Sequence, residues 1–408
     1  MNKKKIINDP VYGFINLYDD LIYELIEHPY FQRLRRIKQL GLTHLVYPGA
    51  THTRFQHSLG SVHLMQSAIN TIRSKGHDIS EEEARAVKVA ILLHDLGHGP
   101  LSHSLESKWA DDYNHENLTL LMMHMLNEQW EGQLEMALQI YQNKHPKKFL
   151  HQLVSSQLDV DRLDYLRRDS FFTGVSEGVI GSDRIIKMLS VKDDQLVVEA
   201  KGIHSIEKFL IARWIMYWQV YFHKTVVSAE QLISRIMQRA KELLGKGMKL
   251  PASEPLLYFL NNRYRDDTRE GMVRMFSKLD DTDLDVAIKS WSENSDRLLS
   301  TLCKNMLRRN LFKIRLQKEP FSDGQVQAAR EEAVRLLDLS REELDYFVFT
   351  RSITNKAYSL SGDQIKILYK DKQVKDVGEA SDMLSLPVLS KIVKKYFLCY
   401  PGEHNTIL

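Results

Sequence analysis

Residues 87–93 (Val-Lys-Val-Ala-Ile-Leu-Leu) hold a single polar side chain and run directly into His94-Asp95-Leu96-Gly97-His98-Gly99-Pro100. Apolar residues this dense at helical spacing belong to a buried helix. Ser80 followed by Glu81-Glu82-Glu83 starts it, with Glu83 at the third position of a capping box. Gly97, Gly99 and Pro100 stop it. The fold must therefore place a helix end carrying adjacent imidazole and carboxylate groups against its core. Such a pair can bind one divalent metal where the helix ends.

The same periodicity predicts a mainly α chain, with helices over 19–41 (broken at His28-Pro29), 57–75, 81–95, 114–128, 131–142, 148–168 and 203–244. A short strand is expected at 194–200. Gly245-Lys246-Gly247 and Pro251 mark a change of character. Helical stretches follow near 253–310 and 323–337, strands at 346–350 and 365–369, and a last helix at 387–396. The expected organisation is a helical core over 1–245 and a smaller α+β C-terminal lobe over 246–408, which carries no chemical motif.

The 56 Lys and Arg against 53 Asp and Glu give a formal charge of +3, which is no footprint for nucleic acid. Two cysteines, Cys303 and Cys399, exclude a disulfide framework and a Cys-rich zinc site. The basic N-terminus lacks an apolar signal core and no long apolar run follows, so a cytoplasmic protein without a membrane partner is expected. Histidine is unevenly spread: 12 of 16 lie between His44 and His151.

His94-x-x-x-His98 has the spacing of a zincin protease helix. Asp95 stands where the catalytic Glu would be, however, and Gly97 with Gly99-Pro100 ends the helix too early. One His-Asp pair also leaves a metal under-ligated. His57 qualifies as a further ligand, with Arg54 three residues earlier on the same helical face. So does Asp161, which shares a face with Tyr165 and Asp169 at i, i+4 and i+8. That charge run, taken alone, is what a solvated helix face looks like.

The order His57, His94-Asp95, Asp161 resembles the HD-domain metal-dependent phosphohydrolases. Lys5-Ile6-Ile7-Asn8-Asp9-Pro10, Phe31-Gln32-Arg33-Leu34-Arg35-Arg36, Tyr47-Pro48-Gly49-Ala50 and Arg54-Phe55-Gln56-His57-Ser58 narrow the resemblance to the deoxynucleoside triphosphate triphosphohydrolases of that superfamily. It runs from residue 5 to about 224, with the HD motifs at about 50–170. The resemblance implies an HD-domain helical core that cleaves a dNTP to deoxynucleoside and inorganic triphosphate. His57, His94, Asp95 and Asp161 would hold the metal, whether Mn, Fe, Mg, Co, Ni or Zn. His103 would be the general acid, with Glu106 (a family Asp) orienting it, and His115-Glu116 a second pair beside the site. Arg54, His98, His115, Arg162 and Arg213 would meet the triphosphate. Tyr165 would floor the deoxyribose and Asp169 accept from its 3′-hydroxyl, with Gln39, Leu40, Tyr217 and Tyr221 around the base. Lys5, Asn8, Gln32 and Arg35 match positions that bind activating nucleotides between subunits, implying a homo-oligomer, dimer or tetramer. The seven other clustered histidines read as structural. Two alternatives stay open: an HD phosphohydrolase acting on another nucleotide or phosphate ester, and a nucleotide-sensing module that binds without turnover.

Overall fold

The computed structural model describes residues 5–17, 19–101, 105, 114–337, 340–356, 358, 364–383 and 392–402. His103 and Glu106 lie outside these. The chain opens with a hairpin that the sequence reading missed, β1 (Lys5–Asp9) paired antiparallel with β2 (Gly13–Leu17). The turn is held by Asp9, whose Oδ1 accepts from the backbone N–H of Val11 (2.9 Å) and Tyr12 (3.1 Å). Gly13 at φ +75° closes it, a backbone angle that side chains with a Cβ resist.

The expected 19–41 helix is shorter. Helix α1 (Asp20–Glu27) stops where His28 turns extended before Pro29, and only single helical turns follow to Arg36. Helix α2 (Arg54–Ser74) starts three residues before the expected 57, because Gln56 Oε1 accepts from the Thr53 N–H at 2.9 Å and caps it. Its buried residues include His57, Leu59, Gly60, Met65 and Ile69, so it is the central helix, packed against α3 (Glu81–Leu93) and α7 (Val160–Thr173). Ser80 caps α3 as expected: its Oγ accepts from Glu83 N at 3.1 Å, and Glu83 Oε2 accepts from Ser80 N at 2.8 Å.

Helices α4 (His115–Gln129), α5 (Glu135–Tyr141) and α6 (Lys148–Val154) surround this pair. The single helix expected at 148–168 is two. Ser156 and Asp159 side chains take up local backbone N–H groups, which competes with helix, and Asp159 then caps a new helix, α7 (Val160–Thr173). The 203–244 stretch is also interrupted. Helix α8 (Ile203–Met216) widens into a π turn over Tyr217–Tyr221, and His223 caps α9 (Lys224–Gly245). Such turns commonly aim side chains at functional sites.

Beyond residue 245 come α10 (Asp281–Trp291), α11 (Arg297–Leu307) and α12 (Asp323–Leu337) among shorter helices. Strands β3 (Leu189–Lys192) and β4 (Gln195–Glu199) form a hairpin, and β4 pairs in parallel with β7 (Lys366–Leu368), which continues to β8 (Val374–Asp376). A second sheet has the order β5 (Lys313–Gln317), β9 (Ile392–Tyr400), β6 (Phe349–Lys356). This corrects two expectations. Residues 341–347 are helix, so the strand expected at 346–350 begins at Phe349. The helix expected at 387–396 is, over its described part, strand β9. Ile392, Val393, Tyr396 and Phe397 are β-branched or aromatic, and two neighbouring strands complete their hydrogen bonds. The fold is mainly α, with three small sheets among the described residues. No described helix is long and apolar enough to cross a membrane.

Candidate metal centre and adjoining pocket

Three helix ends meet at one point. His57 comes from the first turn of α2, His94 caps the C-terminus of α3, and Asp161 lies in the first turn of α7. His57 Nε2 stands 3.3 Å from His94 Nε2 and 3.0 Å from Asp161 Oδ1, while His94 Nε2 is 3.5 Å from the same oxygen. Asp95 closes the group, with Oδ1 3.4 Å from His94 Nε2 and Oδ2 3.8 Å from His57 Nε2. Ligands about 2.0–2.2 Å from a shared ion lie roughly 3–3.5 Å from each other, which is this spacing.

The ring tautomers support the fit. His57 Nδ1 faces Asp164 Oδ2 at 2.7 Å and His94 Nδ1 faces the Ile91 carbonyl at 2.6 Å. Each acceptor claims the single N–H of a neutral imidazole, leaving two Nε2 lone pairs directed at one another and at a carboxylate. A divalent cation satisfies that arrangement; bare, the cluster binds protons instead. Burial lowers the His57 pKa, but the Asp161 and Asp164 carboxylates outweigh it and lift the value to about 10. Burial also raises the Asp161 carboxyl, yet His57 and His94 pull it far below the usual range. Protons and metal therefore compete here.

The backbone after Asp95 is held as tightly as its side chain. A Cβ on Gly97 would come within 2.0 Å of the His115 carbonyl oxygen, so only glycine lets α4 approach. Thr119 on α4 donates to the His94 carbonyl at 3.0 Å and accepts from the Gly97 N–H at 2.9 Å. The fully buried Arg33 donates to the carbonyls of Leu96 (3.1 Å), His98 (2.7 Å) and Leu279 (2.8 Å).

Cations and imidazoles surround the cluster. Arg54 donates to Asp95 Oδ2 at 2.7 Å, and Arg162 pairs with Asp159. His98 lies 3.3 Å from Asp95 Oδ1 and stacks on His115 with ring centroids 4.2 Å apart. Burial and the Arg54 charge hold the His98 pKa well below its ordinary value. Glu116 beside His115 is exposed, and Arg213 lies 5.9 Å from the centre of the Tyr217 ring.

A cavity of about 460 Å³ opens from Asp161. Of the sequence-predicted residues, Gln39, Leu40, Asp161, Arg162, Tyr165, Asp169, Tyr217 and Tyr221 line it; Arg54, His98, His115 and Arg213 do not. Thr43, Phe222 and Glu230 line it too, and no sequence signal marked them. Asp169 is buried with both oxygens engaged: Tyr221 donates to Oδ2 at 2.8 Å, and His52 Nε2 lies 2.8 Å from Oδ1. His52, one of the histidines expected to be structural, thus orients a pocket residue while stacked on Phe172 at 4.5 Å. Elsewhere, Gln32 accepts from Arg35 Nε at 2.8 Å, Arg35 stacks on Phe55, Lys5 lies over Tyr23, and Asn8 is exposed on β1.

Residues 54–169 match the HD domain model and residues 180–249 the HD associated region. YwfO of Bacillus subtilis, an uncharacterized protein, is 32% identical over 99% of this chain and 93% of its own. The chain belongs to the HD-domain phosphohydrolase family. A crystal structure of a phosphohydrolase from Bacteroides thetaiotaomicron superposes with a TM-score of 0.94 at 50% identity, covering 98% of this chain and 100% of that one. The human deoxynucleoside triphosphate triphosphohydrolase SAMHD1 is 29% identical over 80% of this chain, which spans 57% of the human protein. Within the HD-matched segment lie all four residues of the cluster and Arg54, Tyr165 and Asp169.

Proposed function

We propose that this hydrolase cleaves deoxynucleoside triphosphates to deoxynucleoside and inorganic triphosphate. The observation that carries the reading is the continuity of cluster and cavity: Asp161 belongs to both, and Tyr165 and Asp169 follow it at one-turn intervals on the same helix. A phosphate at the cluster thereby has its sugar against those two side chains. Similarity to SAMHD1 supports the same substrate class.

His57, His94, Asp95 and Asp161 are the residues that would hold the metal. When bound, a divalent ion supplies Lewis-acid polarisation of the α-phosphate and lowers the pKa of a water nucleophile. Arg54 and Arg162 are already fixed by Asp95 and Asp159, so their remaining N–H groups meet phosphate oxygens without a loss of side-chain freedom. The stacked His98 and His115 donate to phosphate oxygens, joined by Arg213. In the overall reaction a water oxygen bonds to the α-phosphorus, the bond from that phosphorus to O5′ breaks, and O5′ takes a proton. His103 fits the role of donor to O5′, with Glu106 orienting it, because imidazole titrates near neutrality. Tyr165 crowds a 2′-hydroxyl. Asp169 accepts from the 3′-hydroxyl, since each carboxylate oxygen can take a second hydrogen bond.

The test is a panel of dNTPs and NTPs with Mn or Mg, with triphosphate resolved from pyrophosphate and phosphate. Triphosphate from dNTPs, and slower turnover of NTPs, is the expected result. Equal rates on both sugars would refute the role of Tyr165, and release of only pyrophosphate or orthophosphate would refute the reaction.

Lys5, Asn8, Gln32 and Arg35 are proposed to bind an activating nucleotide in a homo-oligomer. Particle size measured by light scattering should rise when GTP or a dNTP is added; an unchanged size contradicts this.

A further inference from the structure

The N-terminal hairpin reaches the metal centre through a buried chain of charges. Asp9 uses its two oxygens for different purposes. Oδ1 holds the hairpin turn, while Oδ2 accepts from Arg168 Nη1 at 2.8 Å. Arg168, with no side-chain exposure, then grips Asp164 with a two-pronged fork, Nε to Oδ2 at 2.9 Å and Nη2 to Oδ1 at 3.0 Å. Asp164, equally buried, accepts from His57 Nδ1 at 2.7 Å through that same Oδ2. Nothing in the chain from Asp9 to His57 is more than slightly exposed: the side chains stand at 4%, 0%, 0% and 1%.

Two further observations show that space is reserved for this chain. A Cβ on Gly60, one turn along α2 from His57, would fall 2.0 Å from Asp164 Oδ1 and 2.2 Å from Arg168 Nη2. Glycine at that position lets the ion pair lie flat against the helix that carries the metal ligand. On the other side the Tyr12 ring, from the hairpin turn, lies 5.5 Å from the Arg168 guanidinium. Arg168 is thus clamped between the hairpin and α2, and its orientation depends on Asp9.

We propose that Asp9 is a remote positioning residue for the metal centre: through Arg168 and Asp164 it fixes the His57 ring with Nε2 aimed at His94 and Asp161. A carboxylate bonded to the far nitrogen of a metal-binding histidine sets its tautomer, orientation and basicity, and losing such a partner typically weakens metal binding by about 10- to 100-fold. Here the carboxylate is itself steered from a separate β-hairpin. By linkage the dependence is reciprocal, so metal held at His57 must stiffen the hairpin. This inference rests on the metal-centre reading above, and its test separates the two.

Asp9→Asn is the discriminating variant. The asparagine oxygen can still accept from Val11 and Tyr12, which preserves the turn, but its neutral amide no longer balances Arg168. Mn²⁺ alone is titrated against a chelating indicator into the wild type, Asp9→Asn, His57→Ala, and Asp183→Asn, whose exposed carboxylate pairs with Arg167 and lies outside the buried relay. Asp9→Asn should bind Mn²⁺ about tenfold or more weakly, Asp183→Asn like the wild type, and His57→Ala weakest. Wild-type affinity in Asp9→Asn with impaired His57→Ala would overturn the relay alone. Undiminished binding in His57→Ala would overturn the metal centre itself. Amide hydrogen exchange on the wild type gives a readout that needs no variant to fold. Mn²⁺ should slow exchange across residues 5–17 and leave the β7–β8 hairpin unchanged; an equal response in both, or none in the first, contradicts the proposal.

Discussion

Replacing Asp161 by alanine should abolish detectable triphosphate release and weaken divalent-metal binding together. Its Oδ1 faces both ring nitrogens at once, 3.0 Å from His57 Nε2 and 3.5 Å from His94 Nε2, and the same residue borders the substrate cavity. Without it the two imidazoles hold an ion only with help from Asp95, and the ion loses its contact with the cavity wall. Lewis-acid assistance is worth several kcal/mol, and each 1.4 kcal/mol is a factor of ten in rate. A loss of at least about a thousandfold in kcat/KM is therefore expected. Metal content by mass spectrometry and turnover by triphosphate release check the two halves. A variant that keeps full metal occupancy and turnover would remove Asp161 from the ligand set.

The second large effect is on the fold. Asp164→Ala should destabilise the protein by about 3–5 kcal/mol, because it leaves Arg168 buried with one of its two carboxylate partners gone. The His57 Nδ1 loses its acceptor in the same step. Chemical denaturation followed by circular dichroism measures the first consequence and Mn²⁺ titration the second. A stability change within 1 kcal/mol of zero would mean that Arg168 finds water or another acceptor, and the rigidity ascribed to this chain would be wrong. The neighbouring Arg168 and His57 hold the Asp164 carboxyl below its usual range against the opposing pull of burial. Its folded pKa is depressed, so its stabilising contribution is present above the unfolded carboxylate pKa and lost as pH falls through the folded value.

How much of this could be read from the chain follows from where each signal lives. Helix α3 was legible because three local features mark it: a capping box at its start, an apolar run along it and a glycine-rich stop at its end, each set by residues within a few positions. The Asp161–Tyr165–Asp169 face was legible for the same reason, since helical spacing fixes it wherever α7 packs. Asp164 and Arg168 sit on that helix at acid–base spacing, yet their importance arises from Asp9, 155 or more residues earlier, which no local pattern specifies. His52 carries no signal at all; only the fold brings it to Asp169. The expected helix at 387–396 failed because β9 is held by partners at 313–317 and 349–356, and pairing across such separations overrides local preference. The continuous helices expected at 148–168 and 203–244 failed on capping, where Asp159 and His223 each start a new helix inside an unbroken apolar pattern.

The most direct test of the central claim is hydrolysis of a dNTP by the Mn²⁺-loaded protein in ¹⁸O-labelled water, with the products separated and weighed. Attack at the α-phosphorus predicts inorganic triphosphate carrying one ¹⁸O and a deoxynucleoside carrying none. Label in the deoxynucleoside, or label only in pyrophosphate or orthophosphate, would contradict the account.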